Sequence, residues 1–250
     1  MIQLNSISKT FNKGQPTENN AIKNISLNIN PNDFVVIVGS NGSGKSTLLN
    51  CIAGSVLTDN GKIIFNETKD VTKLKDYERT KWVSRIFQNP LIGTAPGLTI
   101  IDNFRLAAIR TKSKNISVGI NHHFIQKVKE SLLVLGMGLE NKIHQPVGSL
   151  SGGQRQAITL LMSVFDQSSI LLLDEPTAAL DPKSATIVME TANKLIKQKH
   201  LTAILVTHNL KEASTFGNRI IQMHQGEVVK DLDNKEKSKL NSADIFQWFQ

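Results

Sequence analysis

Residues Gly39 to Thr47 read Gly-Ser-Asn-Gly-Ser-Gly-Lys-Ser-Thr. The apolar run Phe34 to Val38 leads in, and a helix-like segment, Leu48 to Ala53, leads out and stops at Gly54. Strand, glycine-rich turn and helix, in that order, is the context in which the spacing G-x-x-x-x-G-K-[ST] makes a phosphate-binding loop. Gly39, Gly42 and Gly44 tolerate positive φ and have no Cβ to stand before a ligand. The loop's backbone N–H groups, those of Ser40, Asn41 and Ser43 among them, then turn inward and cradle a polyphosphate such as ATP. The helix behind adds its positive end. Lys45 supplies a point charge for the β- and γ-phosphates, Ser46 a hydroxyl for Mg²⁺, and Thr47 a second hydroxyl near the α-phosphate. The plainer alternative is a turn that binds nothing, and a lysine placed where the phosphates would lie argues against it.

Three more apolar strands end in side chains of chemical use, and strand ends are where open α/β sheets hold ligands. Ile170 to Leu173 runs into Asp174-Glu175. Asp174 suits Mg²⁺, directly or through water, and Glu175, one step on, suits orienting and activating water. The competing account is a helix start, since Asp-Glu-Pro also begins helices well. Val83 to Phe87 ends at Gln88, whose neutral amide coordinates a metal or water and lets go at little cost. Ala203 to Val206 ends at Thr207-His208, and the imidazole is within reach of a γ-phosphate. For Gln88 and His208 the alternative is an ordinary polar residue closing a strand. Ser151-Gly152-Gly153-Gln154 forms a second glycine-bearing helix start, yet the chain has one lysine-bearing loop. A head-to-tail dimer resolves this, with the segment facing ATP held by the other copy.

The elements that must position these residues are legible as periodicities. Ile2, Leu4 and Ile7 mark a first strand, and Lys13 to Asn20 a loop. Ile25, Leu27 and Ile29 alternate with polar residues as a half-buried strand, and Pro31-Asn32-Asp33 turns into the strand that feeds the loop. Asn60-Gly61 reads as a hairpin turn into Lys62 to Phe65, and Val71 to Trp82 as polar and helix-compatible. Helical patterns follow at Ile100 to Arg110 and His122 to Leu135, around a polar link at Thr111 to Asn121; Gly136 stops the second. An apolar helix spans Ala157 to Phe165, and Pro182 opens a long helix to about Lys199. Asn218 to Lys230 reads as a hairpin turning at Gln225-Gly226. The tail, Lys235 to Gln250, reads as helical, with Ile245, Phe246, Trp248 and Phe249 as a docking face. Alternating buried strands and helices argue a mainly parallel sheet with helices on both faces, joined to an antiparallel sheet.

At 250 residues, 20% charged and 40% hydrophobic, the chain fits one large domain or a domain with a subdomain. Cys51 is the single cysteine, so no internal disulfide forms, in keeping with a reducing compartment. The start, Met1-Ile2-Gln3-Leu4-Asn5, is unlike a signal peptide, and no apolar run approaches the ~18 residues of a membrane span. The net charge of +8 is spread over scattered lysines. The one patch, Lys235, Lys237 and Lys239, is broken by Glu236 and reads as a solvated helix face, so nucleic-acid binding is not expected.

Together these motifs resemble the ATP-binding subunits of ABC transporters over nearly the whole chain. GSNGSGKS is similar to the Walker A motif, Gln88 in R-I-F-Q-N-P to the Q-loop, and L-S-G-G-Q at 150–154 to the signature. ILLLDE resembles Walker B, A-A-L-D ending at Asp181 the D-loop, and His208 in V-T-H-N the switch histidine. The resemblance implies an α/β P-loop NTPase with a mainly parallel RecA-like sheet, an antiparallel β subdomain and an inserted α-helical subdomain. It divides one ATPase domain, 1–250, into a nucleotide-binding core with the β subdomain (1–90 and 151–234), a helical subdomain carrying the signature at its end (91–150), and a C-terminal helix (235–250). It implies that Phe11 stacks on adenine, although Tyr is commoner there and the loop after it is long. It further implies that Ser151, Gly152, Gly153 and Gln154 touch the partner's γ-phosphate and that Asp181 crosses the interface. Two copies would close on two ATP and open on hydrolysis. The helical insertion, with the Pro90 to Leu98 loop, would pass motion to a separate membrane permease, placing the chain peripherally at the cytoplasmic face. Phrases such as I-G-T-A-P-G-L-T-I and G-N-R-I-I-Q-M-H look like ATPases of importers that use a lipoprotein binding protein for aromatic or other amino acids. Import of a small solute is therefore expected. The rivals are an exporter ATPase and a soluble ABC protein acting on nucleic acid, whose coiled coil or tandem cassette this chain lacks.

Overall fold

A computed structural model describes residues 1–109, 119–165 and 168–248. Arg110, the link from 111 to 118 and Phe249 lie outside the described residues. In chain order the first elements are β1 (Ile2–Phe11), β2 (Asn19–Ile29), β3 (Phe34–Val38), α1 (Lys45–Ala53), β4 (Asn60–Phe65), β5 (Lys69–Asp70) and α2 (Asp76–Arg79). Next come β6 (Val83–Ile86), α3 (Ile100–Ala108), α4 (His122–Leu133), α5 (Gly152–Phe165), β7 (Ile170–Asp174) and α6 (Pro182–Gln198). The last are β8 (Thr202–Val206), α7 (Leu210–Thr215), β9 (Arg219–His224), β10 (Glu227–Leu232), α8 (Asn234–Lys237) and α9 (Ser242–Gln247). The described residues fall into two compact units, one of 1–79, 172–174 and 199–250, the other of 80–171 and 175–198.

In the first unit, β3 lies between β8 and β9 and runs parallel to both, while β10 pairs antiparallel with β9. All five residues of β3 are buried, as expected for a parallel strand covered on both faces. A second sheet, ordered β2-β1-β4-β5, is antiparallel, and Ile25, Leu27 and Ile29 face its buried side as their alternation requires. Glycine at 61 proves to serve a different purpose from a hairpin turn. Asn60 and Gly61 belong to β4, opposite a bulge between Asn5 and Ser8 of β1. Gly61 has φ 83°, and a Cβ there would meet the Ser6 carbonyl oxygen at 2.4 Å. The glycine that signals a turn here accommodates a bulge instead.

The tail also differs from the single helix expected. It forms α8 and α9, opened by capping boxes at Asp233–Glu236 and Asn241–Asp244. Ile245 and Trp248 are buried and Phe246 is exposed. Lys237 is no part of a solvated face: it is buried and donates to the carbonyls of Phe216 and Gly217. Sequence spacing alone hides this, because Lys235 and Lys239 do face solvent.

In the second unit, β6 neighbours the start of β7, and Ser84 Oγ is buried between Ser163 O and Ser168 Oγ at 2.6 and 2.7 Å. Phe165 at the end of α5 stacks edge-on with Phe104 of α3 and Phe124 of α4, which fixes the three helices together. The segment 71–82, helix-compatible in sequence, is helical only over α2. Helix α5 begins at Gly152, a turn and a half before the apolar residues that announce it.

Candidate functional site

The glycines of the Lys45 loop are set by close backbone contact. A Cβ at Gly39 would lie 2.1 Å from Met223 O, and one at Gly44 would lie 2.4 Å from Ala21 O. Gly42 (φ 79°) has nothing within 4 Å of its missing Cβ, so the loop is open on that side. Gly44, at φ 99°, is the N-cap of α1 and offers no side-chain acceptor. The helix therefore presents its first N–H groups uncapped by any side chain, the arrangement that receives an anion. Lys45 is 6% exposed, and its Nζ donates to Gly39 O and Ser40 O at 2.8 and 2.9 Å. Ser43 is buried, Thr47 half-buried, Asn41 and Ser46 exposed. Ser46 Oγ donates to Asp174 Oδ1 at 3.1 Å, so loop and strand end meet as expected.

His208 stands two residues past β8 and is exposed. Its flanks are fixed. Thr207 Oγ1 donates to Glu212 Oε2 at 2.6 Å and accepts from Asn209 N, while Asn209 caps α7. Phe11 closes β1, half-buried, with Lys9 Nζ 5.6 Å from its ring centroid.

The second unit carries the other predicted positions. Gln88 is exposed, two residues past β6. Glu175 is half-buried at φ 47°, a left-handed conformation uncommon outside glycine, asparagine and aspartate. At the start of α5, Gln154 N donates to Ser151 Oγ and Ser151 N donates to Gln154 Oε1, both at 3.2 Å, a reciprocal capping box. A Cβ on Gly153 would meet Ser184 Oγ at 2.2 Å, so the tip of α5 lies directly on the first turn of α6. Asp181 is exposed and accepts from Ser184 N at 3.0 Å; hydrogen bonding to Ser184 holds its carboxyl below the usual range. Gly152 is open apart from Leu180 at 3.9 Å.

Two residues that sequence reasoning passes over prove central to these settings. Arg79 is fully buried and donates to Cys51 O, Ile52 O and Leu74 O at 2.7 to 2.9 Å, closing the carbonyl end of α1. Burial pushes its pKa down to about 10. Nothing marks it in the polar stretch 71–82. Gln156, fully buried, donates to Phe87 O and Pro176 O. Its signal is present: a polar residue beside Ala157 and four before Leu160 lies on an apolar helix face.

A family model described as "ABC transporter" matches residues 22–178. The chain is 40% identical over 250 residues to a tyrosine transport ATP-binding protein of Clostridioides difficile, covering 100% of this chain and 99% of that one. It is 32% identical over 244 residues to the phosphonates import ATP-binding protein PhnC of Lactococcus lactis subsp. cremoris, covering 96% of each. Among solved structures it is similar to the ATP-binding cassette MJ0796 in a dimeric post-hydrolysis state bound to ADP and Pi, with TM-score 0.80 and 31% identity over 94% of this chain and 99% of that one. With the P-loop fold in place and relatives matched end to end, this chain belongs to the ABC transporter family as an ATP-binding, ATP-hydrolysing subunit.

Proposed function

We propose that two copies of this chain close head to tail on two ATP molecules and drive the import of a small solute, an amino acid, through a separate membrane permease. The observation that carries this reading is the end-to-end identity with a protein named for tyrosine transport. The phosphonate-import relative supports import over export, and the dimeric cassette supports the pairing. Among the described residues no helix is long and apolar enough to cross a membrane. In this reading separate permease subunits supply the spans, and the kinship with transport ATP-binding proteins supports a place for the chain at their cytoplasmic face. An extracytoplasmic binding protein delivers the cargo.

In this account the N–H groups from Gly39 to Thr47 and the Lys45 ammonium hold the phosphates, and Phe11 stacks on adenine. Ser46 and Asp174, with oxygens 3.1 Å apart, are hard donors of the kind Mg²⁺ takes, and Gln88 adds an amide oxygen. Mg²⁺, when bound, neutralises charge on the β- and γ-phosphates. Glu175 orients the attacking water and accepts its proton, and His208 donates to the γ-phosphate. Ser151, Gly152, Gly153 and Gln154 meet the ATP of the other copy, and Asp181 crosses the interface.

Glu175→Gln tests the proposal. Turnover should fall ~10²- to 10⁴-fold, the range for loss of a general base. With ATP and Mg²⁺ the variant should elute as a dimer. A nucleotide-loaded monomer would overturn the pairing. Cargo is tested with the assembled transporter in vesicles: uptake of a labelled amino acid supports the assignment, and uptake of a phosphonate alone replaces it.

A further inference from the structure

Gln156 is a fully buried polar side chain of α5, among the buried Ala157, Leu160, Leu161 and Val164 of the same helix. Its Nε2 spends both hydrogens on backbone carbonyls, Phe87 O at 2.9 Å and Pro176 O at 2.8 Å. Its Oε1 is buried with no hydrogen-bond partner. A sealed amide oxygen without a donor is a standing cost that a methionine of similar length would not incur. The two donations are what offset it.

Their addresses are specific. Phe87 immediately precedes Gln88, and Pro176 immediately follows Glu175. One planar NH₂ group has its two hydrogens at a fixed angle, so giving both fixes the separation of the two carbonyls. Glu175, at φ 47°, is in a conformation that persists only when its surroundings hold it. Two residues before Gln156 lies Gln154, in the capping box that forms the tip of the same helix. The amide thus ties one rigid element to both backbone segments that aim the hydrolytic side chains.

We propose that Gln156 is a positioning residue that couples the Ser151–Gln154 tip of α5 to Gln88 and Glu175 of the same chain. It rests on the head-to-tail reading above. The tip engages the ATP of the other copy, while Gln88 and Glu175 attend to the chain's own ATP. A single side chain therefore links the two nucleotide sites, so that occupancy of one sets the aim of water activation at the other.

Amide hydrogen exchange on the wild-type chain, with Mg²⁺ and the non-hydrolysable analogue adenylyl imidodiphosphate, tests this first. Analogue-induced protection at 151–156 should rise together with protection at 86–90 and 175–178, with one midpoint. No protection at 151–156 would sink the head-to-tail reading and this inference with it. Protection there without change at 86–90 and 175–178 would overturn the coupling alone. Gln156→Met then removes both donors while keeping the side chain's length. It should lower kcat at least tenfold, leave the half-saturating ATP concentration within threefold, and abolish the analogue's effect at 86–90 while sparing 39–47. A kcat within twofold of wild type would overturn the role, as would equal losses in kcat and ATP affinity with exchange raised throughout the chain. Should the methionine variant not fold, the wild-type exchange pattern alone decides between coupling and its absence.

Discussion

The Lys45 loop and the tip of α5 are both glycine-bearing entrances to helices, and they differ in who closes the helix end. At α1 the N-cap is a glycine with no side chain to offer, and the glycines on either side of the loop are pressed against the carbonyls of Met223 and Ala21. At α5 the end is closed by its own Ser151 and Gln154, and neither Gly152 nor Gly153 takes a positive φ. On the proposed reading the first is a preformed anion site, with Gly39 and Gly44 fitted against backbone carbonyls. The second is a conditional one, because the groups that would meet a phosphate are occupied with each other until something displaces them. A nucleotide would bind first at the loop, and the α5 tip would respond to it.

The largest expected effect lies in the loop. Gly44→Ala combines a left-handed φ with a Cβ 2.4 Å from Ala21 O. Strain and overpacking together amount to ~2–5 kcal/mol, enough to lose nucleotide binding, as read by a fluorescent ATP analogue. Gly42→Ala meets no atom within 4 Å and should cost only the ~1–2 kcal/mol of its φ. Equal effects at the two positions would remove the claim that packing, and not conformation alone, fixes the loop.

Next comes Gly153→Ala, which collides with Ser184. The expected loss is ~1–3 kcal/mol in urea unfolding, and Ser184→Gly in the same chain should restore most of it. Failure of that rescue would mean that the α5 tip does not rest on α6 as described. Smaller still is Ser151→Ala, which removes half of the capping box at a cost of ~1 kcal/mol. The cost should appear in the nucleotide-free chain. If it appears only with ATP present, the tip is not self-capped and its contrast with the loop disappears.

The loop is the easier of the two to foresee. Its spacing, its lysine and the apolar run Phe34 to Val38 are local signals, and the strand, turn and helix follow from them. The meeting of Ser46 with Asp174 is foreseeable for a similar reason, since the loop and the aspartate each follow a buried apolar strand. The helix start at Ser151 to Gln154 is legible from its glycines although the apolar pattern begins only at Ala157, but the reciprocal bonds between Ser151 and Gln154 are not read from it. Other contacts between residues distant in sequence leave no trace. Gly61 against the β1 bulge, Gly153 against Ser184, and Arg79 on the carbonyls of α1 each depend on a partner that no local pattern names.

The first unit holds a second buried lysine, Lys237, whose substitution should have the smallest effect. Lys45 and Lys237 are 6% and 7% exposed, and each points its ammonium at backbone carbonyls. Lys45 stands where a polyphosphate would neutralise it; Lys237 joins α8 to the end of α7 and has no such ligand. Burial pushes the Lys237 pKa from 10.5 down to about 8. Below about pH 8 the folded and unfolded chains both carry this proton, and the cost of burying the charge is constant. Between about pH 8 and 10.5 the folded chain sheds the proton while the unfolded chain keeps it. The unfolded state then binds more protons, so this group's contribution to stability rises with pH across that window. Lys237→Met removes the titration. The melting temperature of wild type minus that of the variant should therefore move in the wild type's favour, by about 2 °C, between pH 7 and pH 9.5. A difference that stays flat would mean that Lys237 keeps its proton through the window, stabilised by its two carbonyls as firmly as water would hold it.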